Sequence, residues 1–448
     1  MADKYQRRDF LKQAAAVGGA LVLGGIGSGG CANLLKRPAS VARACPLEVV
    51  RVGFVGVGLR GTHLLKLFLA MEGVEVRAVG DIVQEKVVNA RQLVQQAAQP
   101  EPEGFSRGET DYKRMCQRDD LDLIIIATPW QWHVPMCVEA VKTGKHAATE
   151  VPAAVTLDEC WQLVEAAEKY KRYCVMLENC CYGRSEMMVL NMVRKGLLGE
   201  LVHAQAGYLH DLRELKFSGR DEGLWRTQHS IERNGNLYPT HGLGPVAQCM
   251  NINRGDRFDY LVSASSKSRG LNLYAAQKFG PDSPQAGTKY ALGDVNSSLI
   301  RTVNGATIVL IHDCDTPRPY SRINLVQGTK GIFSGYPDRI YIEGRSPQHK
   351  WEPADTYLAE YDHPLWKALG DKAAGSGHGG MDYMIVYRLI RCLREGILPD
   401  MDVYDAACWS AVAELSERSV AGKSRTVDFP DFTRGAWKTN PAVGIVEA

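Results

Sequence analysis

The feature that most constrains the fold is a glycine pattern, Gly56-Val57-Gly58-Leu59-Arg60-Gly61, lying between an apolar run and an apolar-periodic segment. Val49 to Val55 reads as a buried strand and Thr62 to Met71 as a helix that Gly73 closes. Asp81 follows Gly61 by twenty residues, at the end of a second strand running from Val74. A dinucleotide pyrophosphate requires this context, because small residues admit the backbone closely and helix N-terminal amides face the negative charge. Asp81 suits a ribose diol and repels a 2′-phosphate, so the pattern predicts NAD rather than NADP.

The rhythm of strand and helix continues. Leu121 to Ala127 is a continuous β-branched run, as a central parallel strand covered on both faces should be. Pro135 to Thr143 predicts a helix, Lys145 to Glu150 a strand, Leu157 to Tyr170 a helix and Tyr173 to Asn179 a further strand. After Asn179 crossover helices thin out. Arg184 to Gly196 predicts a long helix, and strands are predicted at Leu201 to Tyr208, Tyr260 to Ser265, Ser297 to Val303, Thr307 to His312 and Ser321 to Gln327. Helices near Met381 to Glu395 and Val403 to Val420 close the chain. The fold class is therefore α/β: an N-terminal Rossmann doubly wound parallel sheet, then a C-terminal α+β domain with an open, mostly antiparallel sheet. The divisions predicted are a dinucleotide domain over 48–179, a substrate domain over 180–377, and C-terminal helices and tail over 378–448 that pack back on the first domain.

Arg7-Arg8-Asp9-Phe10-Leu11-Lys12 reads as a twin-arginine export signal, with Ala14 to Ile26 as its apolar region. That region is shorter than the roughly 20 residues a spanning helix needs. The signal is placed at 1–31 and a linker at 32–47; lipidation at Cys31 and ordinary cleavage between Gly30 and Ala44 both stay open. The expected location is the periplasm or cell envelope, and the expected partner on the way is the twin-arginine machinery. That route carries folded proteins, so a nucleotide acquired in the cytoplasm travels with its protein. An enzyme that returns its cofactor to the starting redox state suits a compartment poor in free NAD. With 448 residues, a formal net charge of +2 and no long basic run, the chain has ample length for two cores and no electrostatic footprint for nucleic acid. Folding in a reducing cytoplasm also predicts that Cys116, Cys137, Cys160, Cys174, Cys249, Cys392 and Cys408 are buried thiols; the vicinal Cys180-Cys181 leaves a strained disulfide open.

Three more segments end strands on the carboxyl edge, where ligands of such sheets bind. They are Thr128-Pro129-Trp130-Gln131-Trp132-His133, then Glu150-Val151-Pro152, then Asn179. Trp130 and Trp132 read either as core or as an aromatic wall for the dinucleotide, and Pro129 and Pro152 as candidates for cis turns. Over Glu48 to Val420 these segments resemble the glucose-fructose oxidoreductase and inositol dehydrogenase family. That family reads Glu-Lys-Pro where this chain has Glu150-Val151-Pro152, and a valine neither accepts nor relays a proton.

The second half narrows the resemblance. Tyr182-Gly183-Arg184-Ser185-Glu186, Leu190 to Gly196, Gly207 to Arg213, and Asn236-Leu237-Tyr238-Pro239-Thr240-His241-Gly242-Leu243-Gly244-Pro245 look like glycoside hydrolase family 109, known as NAD-dependent α-N-acetylgalactosaminidases. The resemblance implies dinucleotide contacts at Leu59, Arg60, Asp81, Trp130, Gln131, Trp132, His133, Glu150, Val151 and Asn179, beside the glycines. It implies sugar contacts at Tyr208, Arg226, Tyr238, Pro239, Thr240, His241 and Tyr320. Tyrosine and arginine suit a neutral amino sugar, since one stacks and hydrogen-bonds and the other offers forked donors.

His241 is read as lying in a Pro- and Gly-rich loop and as the leading acid/base, with Tyr208 and Tyr238 as proton carriers or oxyanion donors. His210 and Asp211 are second candidates, and His378 in its glycine run reads as a supporting group. No metal site is predicted: Asp313-Cys314-Asp315 near His312 alternate along a strand and cannot all face one ion. The expected reaction oxidises the sugar C3 hydroxyl, eliminates across C1 and C2, adds water and reduces C3 again, with no net electron transfer. The alternative is an exported sugar oxidoreductase with a non-dissociating NAD(P), or a dinucleotide-loaded sugar-binding protein. Homo-oligomerisation is left open.

Overall fold

The computed structural model describes residues 43–447, so the twin-arginine segment, Cys31 and most of the linker lie outside the described residues. Six parallel strands form the first sheet: β1 (Val50–Val55), β2 (Val74–Gly80), β3 (Glu103–Phe105), β4 (Leu123–Ile126), β5 (His146–Thr149) and β6 (Cys174–Met176), in the order β3-β2-β1-β4-β5-β6. The order reverses between β1 and β4, which is the switch point where such sheets open a crevice. Helices α1 (Leu59–Leu69), α2 (Gln84–Gln96), α3 (His133–Lys142) and α4 (Leu157–Tyr170) cover it. β4 is buried throughout, as a β-branched strand between two helical layers must be. The short β3 and helix α2 were not anticipated. α2 buries only Val87, Ala90 and Val94, too narrow an apolar stripe to stand out in the sequence.

Beyond α5 (Arg184–Arg194) nine strands form the second sheet: β7 (Leu201–Leu209), β8 (Phe258–Ser265), β9 (Asn296–Thr302), β10 (Thr307–Asp313), β11 (Leu325–Gly328), β12 (Gly331–Ser334), β13 (Arg339–Ile342), β14 (Glu352–Pro353) and β15 (Val427–Asp428). Their order is β14-β13-β12-β11-β7-β10-β9-β8-β15, antiparallel except for the β7–β10 pair. The strand expected from Ser321 is shorter than its apolar pattern. Ile323 and Asn324 adopt positive φ, which breaks the ladder until Leu325.

Helices α6 (Gly223–Glu232) and α7 (Thr240–Cys249) sit between the strands, and α8 (Met381–Glu395), α9 (Val403–Ser410) and α10 (Val412–Ala421) follow them. The single closing helix expected over Val403 to Val420 is thus two, meeting at Ala411. The loop expected around His241 is the first turn of α7, and its glycines serve packing rather than turning. A Cβ on Gly242 would lie 2.4 Å from the Gly207 amide nitrogen and 2.5 Å from its carbonyl oxygen, so α7 rests directly on the β7 backbone. A Cβ on Gly244 would lie 2.9 Å from the Cys181 sulfur and from the Trp409 ring. Both sheets belong to one unit spanning Pro38–Ala448, and α8 returns to α1 through Asp382 and Arg60. The seven cysteines expected in the interior are buried, and Cys180 and Cys181 are free thiols.

Candidate active site

The glycine loop is a backbone-on-backbone contact. Gly56 has φ +84°, and a Cβ there would lie 2.5 Å from the Ala127 carbonyl oxygen at the end of β4. A Cβ on Gly61 would fall 1.8 Å from the Gly56 carbonyl oxygen. Only glycine lets α1 begin this close to the sheet, which is the cradle a pyrophosphate needs. The cleft above it, of about 290 Å³, is lined by Gly56, Gly58, Leu59, Arg60 and Asp81, with Trp130, Trp132 and His133 on the β4 side and Glu150 and Val151 after β5. Asp81 fastens the loop as well as lining the cleft, since its carboxylate accepts from the Val57 and Val83 amides at 3.0 Å each. These residues fit a dinucleotide. Gly61→Ala is expected to yield protein that releases no nucleotide on denaturation, measured against wild type by absorbance of the supernatant; retained nucleotide would contradict the cradle.

Other expected contacts sit differently. Gln131 is exposed and does not line the cleft, because the turn Trp130–Trp132 directs its two tryptophans inward. His133 is fully buried with Nδ1 2.8 Å from the Pro152 carbonyl oxygen and Nε2 2.8 Å from that of Thr128, so it clamps the two loops together. Burial pushes its pKa down, which favours a neutral ring that donates to one carbonyl at a time. The Val151-Pro152 bond is cis; the bond before Pro129 is not. Asn179 is buried below the cleft, its amide donating to Asp382 at 2.7 Å.

His241 and Glu178 are directly paired. Glu178 ends the strand region of β6, and α7 delivers His241 so that Nδ1 lies 2.6 Å from the Glu178 Oε1 atom. Glu178 is completely buried; burial alone would raise its pKa, but the His241 imidazole and Thr240 hydroxyl beside it hold the carboxyl below its ordinary range. An ionised carboxylate can only accept, so His241 donates from Nδ1 and keeps Nε2 as a base. Pro239 caps the helix and, with Thr240, is buried beneath His241. Cys180, Glu178 and His241 bring ligand atoms within 4.8 Å of one another. The 2.6 Å contact is too short for an ion between carboxylate and imidazole, and burial keeps the Cys180 thiol protonated.

An aromatic pocket adjoins this pair. Tyr238 stacks on Trp130 at 5.6 Å between ring centres, Tyr208 lies 4.6 Å from Tyr238, and His241 lies 4.9 Å from Tyr238 and 5.5 Å from Tyr208. The Arg226 guanidinium lies beside this stack, 5.0 Å from the Trp130 ring centre and 4.9 Å from that of Tyr238, and Nε donates to Glu222 at 2.5 Å. Burial pushes the phenols of Tyr208 and Tyr238 well up and that of Tyr320 to about 12. The direction is opposite to what a base needs and suits phenols that donate hydrogen bonds, which weighs against the proton-carrier role expected of Tyr208 and Tyr238. His210 is pushed down by burial and by Arg226 and His241, and shares a 2.9 Å hydrogen bond with the Tyr208 hydroxyl. Asp211 is held by Arg213 at 2.7 Å, which removes it as a candidate.

Sequence reasoning missed Glu178 and Asp382. Glu178 carried a legible signal, a carboxylate at a strand's carboxyl end beside Asn179. Asp382 carried none: it is a buried carboxylate on α8 that collects Arg60, His63, His378 and Asn179 from three separate parts of the chain. Burial alone would raise its pKa; His378 and Arg60 hold it far down instead. His378 thereby has the supporting position expected of it.

A doubly wound sheet with this glycine cradle, joined to an open mixed sheet that carries an aromatic pocket, defines a protein of the NAD-binding oxidoreductase fold. Residues 50–178 match the NAD-binding Rossmann fold of that oxidoreductase family, and residues 182–439 match the C-terminal domain of glycosyl hydrolase 109. The chain belongs to glycosyl hydrolase family 109. It is 48% identical over 453 residues to a glycosyl hydrolase family 109 protein of Shewanella pealeana, and 48% over 454 residues to the alpha-N-acetylgalactosaminidase of Shewanella oneidensis; each match covers 99% of both chains. Among solved structures it is similar to levoglucosan dehydrogenase in complex with NADH and levoglucosan (TM-score 0.66, 18% identity, 85% of this chain and 100% of that one). It is also similar to an NAD-binding oxidoreductase from Klebsiella pneumoniae (TM-score 0.68, 15% identity, 86% and 100%). These likenesses show the fold. The chain is a glycoside hydrolase with an oxidoreductase-type NAD-binding domain.

Proposed function

We propose that this enzyme releases terminal α-linked N-acetylgalactosamine by a redox-neutral route on a retained NAD, acting in the periplasm or cell envelope after twin-arginine export. The relative named alpha-N-acetylgalactosaminidase supports the sugar. The observation that supports the mechanism is that three carboxylates around the aromatic pocket are each ion-paired with a basic side chain: Glu178 with His241, Glu150 with Arg60, and Glu222 with Arg226. An ion-paired carboxylate is poorly suited to serve as the general acid of a two-carboxylate glycosidase. When bound, NAD supplies reversible two-electron oxidation at the sugar C3, which acidifies the hydrogen on C2.

The chain supplies the remaining chemistry. His241 Nε2 takes the C2 proton, with Glu178 fixing the tautomer and balancing the charge that forms. The phenols of Tyr208 and Tyr238, kept protonated by burial, donate to sugar oxygens and stabilise negative charge as it develops. Arg226, held beside the stacked rings, offers its guanidinium to carbonyl and hydroxyl oxygens. Val151, buried at the cleft where related dehydrogenases carry lysine, offers no proton relay to an open dehydrogenase cycle. That disfavours the sugar-oxidoreductase reading, which requires stoichiometric oxidised product.

Hydrolysis of a chromogenic α-N-acetylgalactosaminide in deuterated water tests the route. The released sugar is expected to carry deuterium at C2, and protein-bound nucleotide is expected to be unchanged in amount and redox state. Full retention of the C2 hydrogen would exclude elimination.

A further inference from the structure

Five aromatic rings contact one another in succession, from Trp130 at the dinucleotide cleft through Tyr238, Tyr208 and Tyr320 to Tyr336 at the surface. Trp130, Tyr238 and Tyr208 are 5%, 6% and 7% exposed; Tyr320 and Tyr336 are 38% and 40% exposed. Tyr320 lies 6.2 Å from Tyr208, and Tyr336 lies 6.1 Å beyond Tyr320, both edge to face. The step in exposure falls between Tyr208 and Tyr320, so the succession divides into a closed inner part beside His241 and an open outer part.

The outer part is built rather than incidental. The Arg322 guanidinium lies 5.7 Å from the Tyr320 ring centre and 5.5 Å from that of Tyr336, and Nη1 donates to the Tyr320 hydroxyl at 3.1 Å. Arg322 is 7% exposed and ion-paired with Glu186, so the rim's positive charge is already matched. Tyr336 itself adopts φ +57°, a conformation bulky side chains rarely take and retain only where neighbours enforce it. The enforcement is visible: the Gly335 amide donates to the Asn324 carbonyl at 3.1 Å, and the Ser185 hydroxyl donates to Asp338.

We infer that Tyr336, with Tyr320, forms an outer subsite that stacks on the second sugar ring of the substrate, the neutral pyranose carrying the leaving oxygen. The inference rests on the proposed hydrolysis of α-linked N-acetylgalactosamine. The sugar that reacts must sit between the dinucleotide cleft and His241, which is the closed end of the succession. Its leaving group therefore extends along the open end. A pyranose presents a face of C–H groups that suits a half-exposed aromatic face, and a rim with its charge matched favours a neutral ring over a sulfated or acidic one. Tyr336 thus selects for what the aminosugar is attached to, without touching the bond that breaks.

The test compares kcat/KM for methyl α-N-acetylgalactosaminide with that for N-acetylgalactosamine α-linked to galactose, in wild type, Tyr336→Ala and Tyr336→Phe. In Tyr336→Ala the disaccharide-to-methyl ratio is expected to fall by about tenfold, the scale of one aromatic stacking contact, chiefly through the KM of the disaccharide. In Tyr336→Phe, which keeps the ring, the ratio is expected to stay within about twofold of wild type. An unmoved ratio in Tyr336→Ala overturns the subsite, as does a fall in Tyr336→Phe equal to that in Tyr336→Ala. Wild type inactive on both glycosides instead sinks the hydrolase reading itself and the subsite with it.

Discussion

Glu178→Gln is expected to cut turnover by about 10³-fold or more while leaving the dinucleotide in place, the scale seen when a carboxylate that sets a catalytic imidazole's tautomer is neutralised. The substitution keeps size and shape inside a fully buried site, so the loss reads on electronics. A glutamine amide can turn its NH₂ toward His241 Nδ1, which then has to accept, and the proton moves to Nε2 where a lone pair is needed. Even with the amide oxygen facing the ring, the imidazolium formed during proton abstraction loses its counter-charge in a dry environment. Glu178 does not line the dinucleotide cleft, so bound nucleotide per protein is expected to match wild type. Near-normal kcat in the variant would remove the pair from the mechanism; loss of nucleotide along with activity would point to collapse of the site instead.

Gly242→Ala is the second large effect. The added methyl would sit 2.4 Å and 2.5 Å from the nitrogen and oxygen of Gly207, atoms fixed by the sheet: the Gly207 amide donates to the Arg322 carbonyl at 2.9 Å. Flexible side chains can yield to such a methyl, but a strand in the middle of a nine-stranded sheet cannot. Helix α7 must therefore lift, at a cost of about 3 kcal/mol or more, the upper end of overpacking penalties. The lift carries His241 away from Glu178. A displacement near 1 Å at a catalytic group costs about 10²-fold in rate. A lowered melting temperature together with a kcat loss of that order is expected in Gly242→Ala, with nucleotide content preserved. Wild-type stability would show that α7 and β7 are not in contact.

The first sheet was readable because its evidence is local. A β-branched run such as Leu123–Ile126 must be buried on both faces, and Gly56 and Gly61 announce a close approach whose partner lies a few residues away. Gly242 and Gly244 look the same in one dimension. They were read as loop residues because glycine also breaks helices, and nothing nearby shows that Gly207, Cys181 and Trp409 wait against them. The same limit explains Glu178 and Asp382, whose partners stand 63 and up to 322 residues away.

Sequence alone determined the doubly wound sheet, the switch-point cleft with Asp81 at its edge, the mostly antiparallel second sheet, and the aromatic and basic residue types gathered beside the cleft. Only the tertiary structure decided how those residues act. It set His241 on buried Glu178, raised the phenols of Tyr208 and Tyr238 by burying them, and tied His133 to two loop carbonyls and Asn179 to Asp382. The reason is physical: periodicity and turn chemistry are written in neighbouring residues, whereas a proton's position depends on the charges and the burial that distant segments bring to it.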